Sequence, residues 1–372
     1  MKLIIEETDI ISGYDIEKIS PKGEVLFFDI ETTGLKKETT QIYLIGCGYF
    51  NEKGNFEIRQ WLAESASDER EVLEAFLDFS AHFSVLIHFN GDGFDIPYVE
   101  YKSQFYGFGP AFDGFESIDI YKCIKPYKRF LGLERMNQTS IERFLSVERR
   151  DRINGGLLIP YYYEFERTGD GECERLLLLH NNDDIRGMMH LIDMLSYADM
   201  FDGKYAARDP ENPVEVFGST CILEYTLDSP VPVPVLYETE GLMIAAEGSL
   251  LQVNLSIYEG EARIPLPNVE DYYYLPEEDR VIHRDLAEFV DRRFKRKATA
   301  KNCFLKKRGS FVQLPGGQEP LLSPDGGKTC YLPGSRGKLE PCMEISAVKC
   351  ATADELCTFS RCILGNLQNK HC

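Results

Sequence analysis

Residues 25–35 read Val25-Leu26-Phe27-Phe28-Asp29-Ile30-Glu31-Thr32-Thr33-Gly34-Leu35. Val25 to Ile30 is a run of strand-forming residues, and Thr32-Thr33-Gly34 turns the chain. Side chains two apart on a strand point to the same face, so the carboxylates of Asp29 and Glu31 emerge together where a hydrophobic strand ends. Two such charges ~4 Å apart repel by about 4 kcal/mol at an effective dielectric of ~20. A hard divalent cation offsets a repulsion of that size; a Glu31 that faces solvent beyond the strand end relieves it too. A metal site would need further acids from elsewhere in the chain.

Two later segments supply them. Residues 85–89 read as a short apolar strand that runs into Asn90-Gly91-Asp92-Gly93-Phe94-Asp95-Ile96-Pro97. The glycines let this loop bend tightly, and the proline suits the first turn of a helix. Asp95 is there a helix N-cap or a metal ligand, and Asp92 a solvated loop acid. Residues 174–195 read as a long helix on which His180, Asp184, Met188, Leu191 and Leu195 share a face. An Asp on an apolar helix face is costly unless it is paired or bound to metal. That makes Asp184 the fourth acid, with His180 one turn before it; Asp183 groups instead with Gly187 and His190.

In this order the acids resemble those of the DEDD exonuclease superfamily, which has the ribonuclease H-like fold. Phe28-Asp29-Ile30-Glu31-Thr32-Thr33-Gly34-Leu35 is similar to its first motif, and Asn90, Phe94 and Asp95 match the Asn-x-x-x-(Phe/Tyr)-Asp of its second. The third motif departs from the pattern. The family has Tyr-x-x-x-Asp or His-x-x-x-x-Asp, whereas His180 stands at the shorter, Tyr-type spacing from Asp184. Residues 41–46 and His88-Phe89-Asn90-Gly91 resemble the bacterial YprB-type ribonuclease H-like proteins. The resemblance covers residues 22 to about 198. It implies two Mg²⁺ or Mn²⁺ ions ~3.5–4 Å apart. Asp29 would bridge them, Glu31 and Asp95 would complete their shells, and Asp184 would hold one. His180 would orient or deprotonate the attacking water. The implied activity is 3′-to-5′ release of nucleoside 5′-monophosphates from DNA or RNA. A catalytically silent nucleic-acid-binding or scaffold module, or a proofreading module beside a separate polymerase, are the other functions open to such a domain.

The intervening pattern predicts strands over residues 41–50 and 56–62 joined by the 51–55 loop, a helix over 68–79 with Val72, Leu73, Phe76 and Leu77 on one face, and a strand over 117–121 that carries Asp119. Thr139 and Glu142 read as a capping box opening a helix to Leu145. The fold class is α/β, a mixed sheet flanked by helices. Residues 1–21 read as a polar lead-in, 22–204 as the nuclease-like domain, 205–213 with two prolines as a linker, and 214–372 as a smaller, β-rich α+β domain. In that last part the expected elements are short strands over 230–236, 241–246 and 250–258, a hairpin closed by Glu259-Gly260, helices over 285–298 and 352–364, and an irregular, Gly- and Pro-rich stretch over 315–341.

The chain of 372 residues carries a formal charge of −20, so a nucleic-acid partner needs a local basic patch. Residues 280–308 hold eleven Lys and Arg against Asp285, Glu288 and Asp291, a net of +8. On the expected helix Leu286, Phe289, Val290 and Phe294 form the docking face, and Arg292, Lys295 and Arg296 point away as phosphate contacts. No apolar run approaches the ~20 residues of a membrane span, and residues 1–7 lack a signal-peptide pattern. The eleven cysteines, without any Cys-x-x-Cys, read as reduced thiols in a cytoplasmic protein. Nothing in the pattern calls for a small-molecule cofactor.

Overall fold

Six strands build the sheet that carries Asp29: β1 (Lys2–Thr8), β2 (Val25–Thr32), β3 (Ile42–Phe50), β4 (Phe56–Leu62), β5 (Val85–His88) and β6 (Glu116–Asp119), in the order β1-β4-β3-β2-β5-β6. The computed structural model describes residues 1–151, 153, 155–314, 330–333 and 339–368. The chain divides into one unit of Met1–Ala198 with Ser229–Val233, and a second of Asp199–Asp228 with Pro234–Cys372. Strands β1 to β4 pair antiparallel, and β2, β5 and β6 run parallel. The parallel steps cross over through α1 (Glu69–Ser80) and α2 (Asp95–Tyr106), as parallel neighbours require. This is the mixed α/β, ribonuclease H-like sheet that the sequence predicts.

β1 corrects the expected polar lead-in. Residues 2–8 alternate half-buried and exposed side chains and pair with β4 from Lys2 opposite Leu62 to Thr8 opposite Phe56. The exposed Leu3 and Ile5 lie on the outer face of this edge strand. A strand covered on one side only has too few buried positions to announce itself by composition.

The core forms where β2 and β3 meet α1. Phe28 is buried, stacked on Phe76 at 5.2 Å and edge-on to Phe112 at 5.5 Å. Each such ring contributes on the order of 2–3 kcal/mol by leaving water. Trp61, the one tryptophan, packs against Phe76 and Phe79. The helices that follow are α3 (Ile120–Ile124), α4 (Gln138–Phe144), α5 (Leu158–Thr168), α6 (Gly171–Leu191) and α7 (Leu195–Phe201). The 117–121 strand stops at Asp119, because that carboxylate caps α3 through the Lys122 N–H. The cap of α4 is Asn137 rather than Thr139. Helix α5, which the sequence pattern did not announce, stacks Tyr162 on Tyr43 at 4.4 Å.

In the second unit β7 (Tyr205–Ala207) replaces the start of the expected linker and pairs with β9 (Thr220–Thr239), of which Ser229–Val233 count with the first unit. After β8 (Glu215–Phe217), the expected short strands are two long ones, β9 (Thr220–Thr239) and β10 (Leu242–Pro265), turned at Gly241 with φ +78°. Glu259-Gly260 lies inside β10 and closes no hairpin. Pro230, Pro232 and Pro234 share one parity of β9 and face outward, while Val231 and Val235 are buried. The three missing N–H groups therefore fall on one edge, and the other edge can pair unbroken. A small sheet follows, β12-β11-β13, from β11 (Tyr272–Leu275), β12 (Arg280–His283), the one-turn helix α8 (Arg284–Ala287) and β13 (Arg296–Lys297). The 285–298 helix is absent. Phe289 is 88 % and Leu286 62 % exposed, so the apolar face meant to dock has no partner surface among the described residues, and a short helix without packing is marginal. β14 (Phe304–Gln313), β15 (Cys330–Pro333) and β16 (Leu339–Glu344) join β10 in the larger sheet, and α9 (Ile345–Cys350) and α10 (Ala353–Gln368) close the described chain. Most of the irregular 315–341 stretch lies outside the described residues.

Candidate metal centre

β2 delivers Asp29 and Glu31 at its C-terminal end, opposite Gly46 and Leu44 of β3. Position 46 has room for nothing larger than glycine: a Cβ there would lie 1.9 Å from Asn181 Oδ1. The buried Asn181 of α6 fills that space. Its Nδ2 donates to Asp29 Oδ2 at 2.9 Å and its Oδ1 accepts from Gln60 Nε2 at 2.9 Å. A missing side chain on β3 thus lets α6 approach and hold the first acid.

Asp95 opens α2 and accepts the Ile30 N–H at 3.3 Å, which ties it to β2. Its loop is pinned from beneath. Asn90 sits in the left-handed region at φ +61°, and its N–H donates to Asp119 Oδ1 at 2.8 Å. Asp119 therefore holds the loop that presents Asp95. His88, Asp92 and Asp119 bring three possible ligand atoms within 4.8 Å of one another. His88 Nδ1 accepts the Gly91 N–H at 3.0 Å, however, which leaves the ring proton on Nε2, 2.7 Å from Ser117 Oγ. A protonated Nε2 is a poor metal donor, and this group reads as a brace for the loop.

α6 supplies the rest through five consecutive polar residues, each with its own partner. His180 Nδ1 bonds Asp151 Oδ2, and Asn181 holds Asp29. Asn182 donates to Glu6 Oε2 at 2.9 Å and accepts from Arg150. Asp183 accepts the backbone N–H groups of Arg150 and Asp151, both at 2.7 Å, and so shapes the loop after α4. Asp184 Oδ1 pairs with Arg149 at 2.7 Å. Arg149 also pairs with Glu142 at 3.1 Å, and Glu142 fits where Gly187 leaves α6 bare: a Cβ on Gly187 would be 2.1 Å from Glu142 Oε1.

The electrostatics are those of a crowded, dry cluster. Burial first, then the charges of Asp184, Asp95 and Glu31, push Asp29 well above the usual carboxylate range. Burial, Asp184 and Asp95 do the same to Glu31. Burial raises Asp95 to about 6 against the pull of the Ile30 N–H. Burial works against the Arg149 cation, but Asp184 and Glu142 outweigh it and hold the guanidinium charged. Glu31 Oε1 and Asp184 Oδ2 stand 3.6 and 3.4 Å from His180 Nε2, and these three residues offer ligand atoms within 4.8 Å of one another. Oxygen donors that repel one another in a buried spot suit a divalent cation.

The structure thus brings Asp29, Glu31, Asp95, Asp184 and His180 together. It does not make a cationic helix face of Arg292, Lys295 and Arg296. Arg292 and Arg296 are exposed, and Lys295 Nζ is bonded to the Ala287 carbonyl and lies 5.4 Å over the Tyr273 ring. Sequence reasoning missed Asn181, Asp151, Arg149 and Gly46. The one signal available was the run His180-Asn181-Asn182-Asp183-Asp184 itself, five polar residues where an amphipathic helix would alternate.

Residues 26–196 match the family described as RNase_H_2 of the RNase H superfamily. No curated protein matches the chain. Solved structures similar to it include a product-bound exonuclease I, 11 % identical with a TM-score of 0.33 over 62 % of this chain and 64 % of that one. Others are an ExoI/SSB-Ct complex, 10 % identical with a TM-score of 0.33 over 76 % and 65 %, and the zinc-bound form of an E. coli ExoI–ssDNA complex, 10 % identical with a TM-score of 0.32 over 76 % and 64 %. The chain spans just under two thirds of the length of these structures. The superfamily match and the mixed sheet thus coincide over residues 26–196 of this chain.

Proposed function

We propose that the first unit is a metal-dependent nuclease of the DEDD type, a 3′-to-5′ exonuclease on single-stranded DNA or RNA. The observation that carries this reading is the convergence of Asp29, Glu31, Asp95 and Asp184 from one strand end and two helices onto one buried spot. There Asp29 and Glu31 are held far from their ordinary ionisation. The four carboxylates would hold two Mg²⁺ or Mn²⁺ ions, which when bound lower the pKa of a water and neutralise charge on the phosphate. The chain's own contributions are definite. Asn181 and the Ile30 N–H orient Asp29 and Asp95. Arg149 offsets part of the cluster's charge. His180 supplies the site's nitrogen, as a base for the water or as a direct contact to an ion. Arg292 and Arg296, exposed in the basic 280–308 stretch, are proposed phosphate contacts.

One observation favours a second reading, a silent nucleic-acid-binding module. Arg149 already places a cation 2.7 Å from Asp184. Calorimetry with Mn²⁺ separates the two, since a silent site binds the ion poorly. The direct test is incubation with 5′-labelled single-stranded DNA and RNA in Mg²⁺ or Mn²⁺. A descending ladder that Asp29→Asn abolishes is the expected result. Uncut substrate in both metals would overturn the nuclease reading.

A further inference from the structure

Among the described residues His180 is the one nitrogen donor in a cluster of oxygens, and its ring is held from behind. Nδ1 donates to Asp151 Oδ2. Asp151 is itself fixed: its side chain is 2 % exposed, Oδ1 accepts the Ile153 N–H at 2.8 Å, and its own N–H donates to Asp183 Oδ2 at 2.7 Å. With the ring proton committed to Nδ1, Nε2 carries a lone pair. That lone pair faces Glu31 Oε1 at 3.6 Å and Asp184 Oδ2 at 3.4 Å. Both distances exceed the ~2.7–3.2 Å of an ordinary N–H···O bond. They are the separations of ligand atoms that share one ion: donors bonded at ~2.1 Å and subtending roughly 110–118° stand about 3.4–3.6 Å apart. A carboxylate behind the ring is the usual support of a metal-binding imidazole, fixing its tautomer and raising its basicity.

We propose that His180 Nε2 is itself a metal ligand, with Glu31 and Asp184, in a centre backed by Asp151. This rests on the metal-dependent reading of the same site and replaces the water-activating role expected for His180. A nitrogen donor shifts the centre's preference from Mg²⁺, which favours all-oxygen shells, toward ions that accept imidazole and stand higher in affinity, such as Mn²⁺, Co²⁺ and Zn²⁺. The His-for-Tyr departure in the third motif then has a chemical consequence: it exchanges a phenol for a ligand.

The probe is Mn²⁺ bound to the full chain, read by electron spin-echo envelope modulation. The wild-type complex is expected to show the ¹⁴N modulation of a coordinated imidazole. His180→Gln should remove that modulation, and His88→Gln, at the loop brace, should keep it. By calorimetry Asp151→Asn should weaken Mn²⁺ binding about 10- to 100-fold and leave Mg²⁺ binding nearly unchanged. Mn²⁺ bound without imidazole modulation in the wild type would overturn the proposal and return His180 to the role of a base, or of an imidazolium paired with the acids, while the nuclease reading stands. No Mn²⁺ binding at all would overturn both. The wild-type spectrum decides the matter even if a His180 variant fails to fold.

Discussion

Gly46→Ala tests how the site is assembled. The added Cβ would stand 1.9 Å from Asn181 Oδ1, where ordinary contact begins at 3.4 Å, so about 1.5 Å must be found between β3 and α6. Gly46 is hydrogen-bonded into the sheet opposite Asp29 and Gln60, so the side chain that gives way is Asn181. It then loses its bond to the Asp29 carboxylate, worth roughly 1.5–3 kcal/mol, and its bond from Gln60, worth about 1 kcal/mol. Residual strain from overpacking costs ~1–3 kcal/mol, so the expected loss is about 3 kcal/mol or more. Urea titration read by the fluorescence of Trp61, buried in the same unit, measures it. Asn181→Ala alone pays for the lost bonds but leaves room for a methyl at 46, so adding Gly46→Ala to it should cost little. The coupling in this double-mutant cycle should exceed ~2 kcal/mol. A Gly46→Ala cost below about 1 kcal/mol, or one that persists undiminished in the Asn181→Ala background, would refute the reasoning.

Four further outcomes are expected. Asp29→Asn should abolish metal-dependent cleavage yet raise the metal-free stability by on the order of 1–2 kcal/mol, because it relieves repulsion. Asp184→Asn should also abolish cleavage but lower stability, because Arg149 loses its 2.7 Å carboxylate partner; shifts of opposite sign in the denaturant midpoints check the pair. Asp95, held at about 6 in the folded state against an ordinary 3.8, binds its proton more tightly when folded. Its contribution of about 3 kcal/mol is full below pH ~4 and is lost as pH rises through about 6. The stability of the metal-free wild type relative to Asp95→Asn should therefore fall between pH 4 and 7, and a flat difference would contradict it. Replacing Arg292 and Arg296 together, in an Asp29→Asn background, should weaken single-strand binding and flatten its salt slope by about 1.4 units; an unchanged slope would leave these cations as solvated surface.

The strands from residue 25 onward and the candidate acids were legible because their signals are local. Asp29 and Glu31 follow an apolar run, and Asp184 interrupts an apolar helix face at a fixed period. Period 2 and period 3.6 are properties of the backbone, so they survive in a sequence read without its fold. The same logic failed at residues 285–298. Helical spacing was present there, but among the described residues no surface covers Phe289 or Leu286, and a helix of that length depends on packing that spacing cannot report.

What the sequence by itself determined was the mixed sheet; it also pointed to Asp29, Glu31, Asp95 and Asp184 with His180 as the candidate site. Tertiary structure alone decided how they are held. Asn181 reaches Asp29 across 152 positions, because Gly46 lacks a side chain, and Asp151 reaches His180 from a loop shaped by Asp183. Nothing about a buried Asn or a lone Asp in a loop reveals its partner, because hydrogen bonds between distant residues exist only after the elements have docked. The proposed ligand role of His180 rests on one of those bonds, the one between Nδ1 and Asp151.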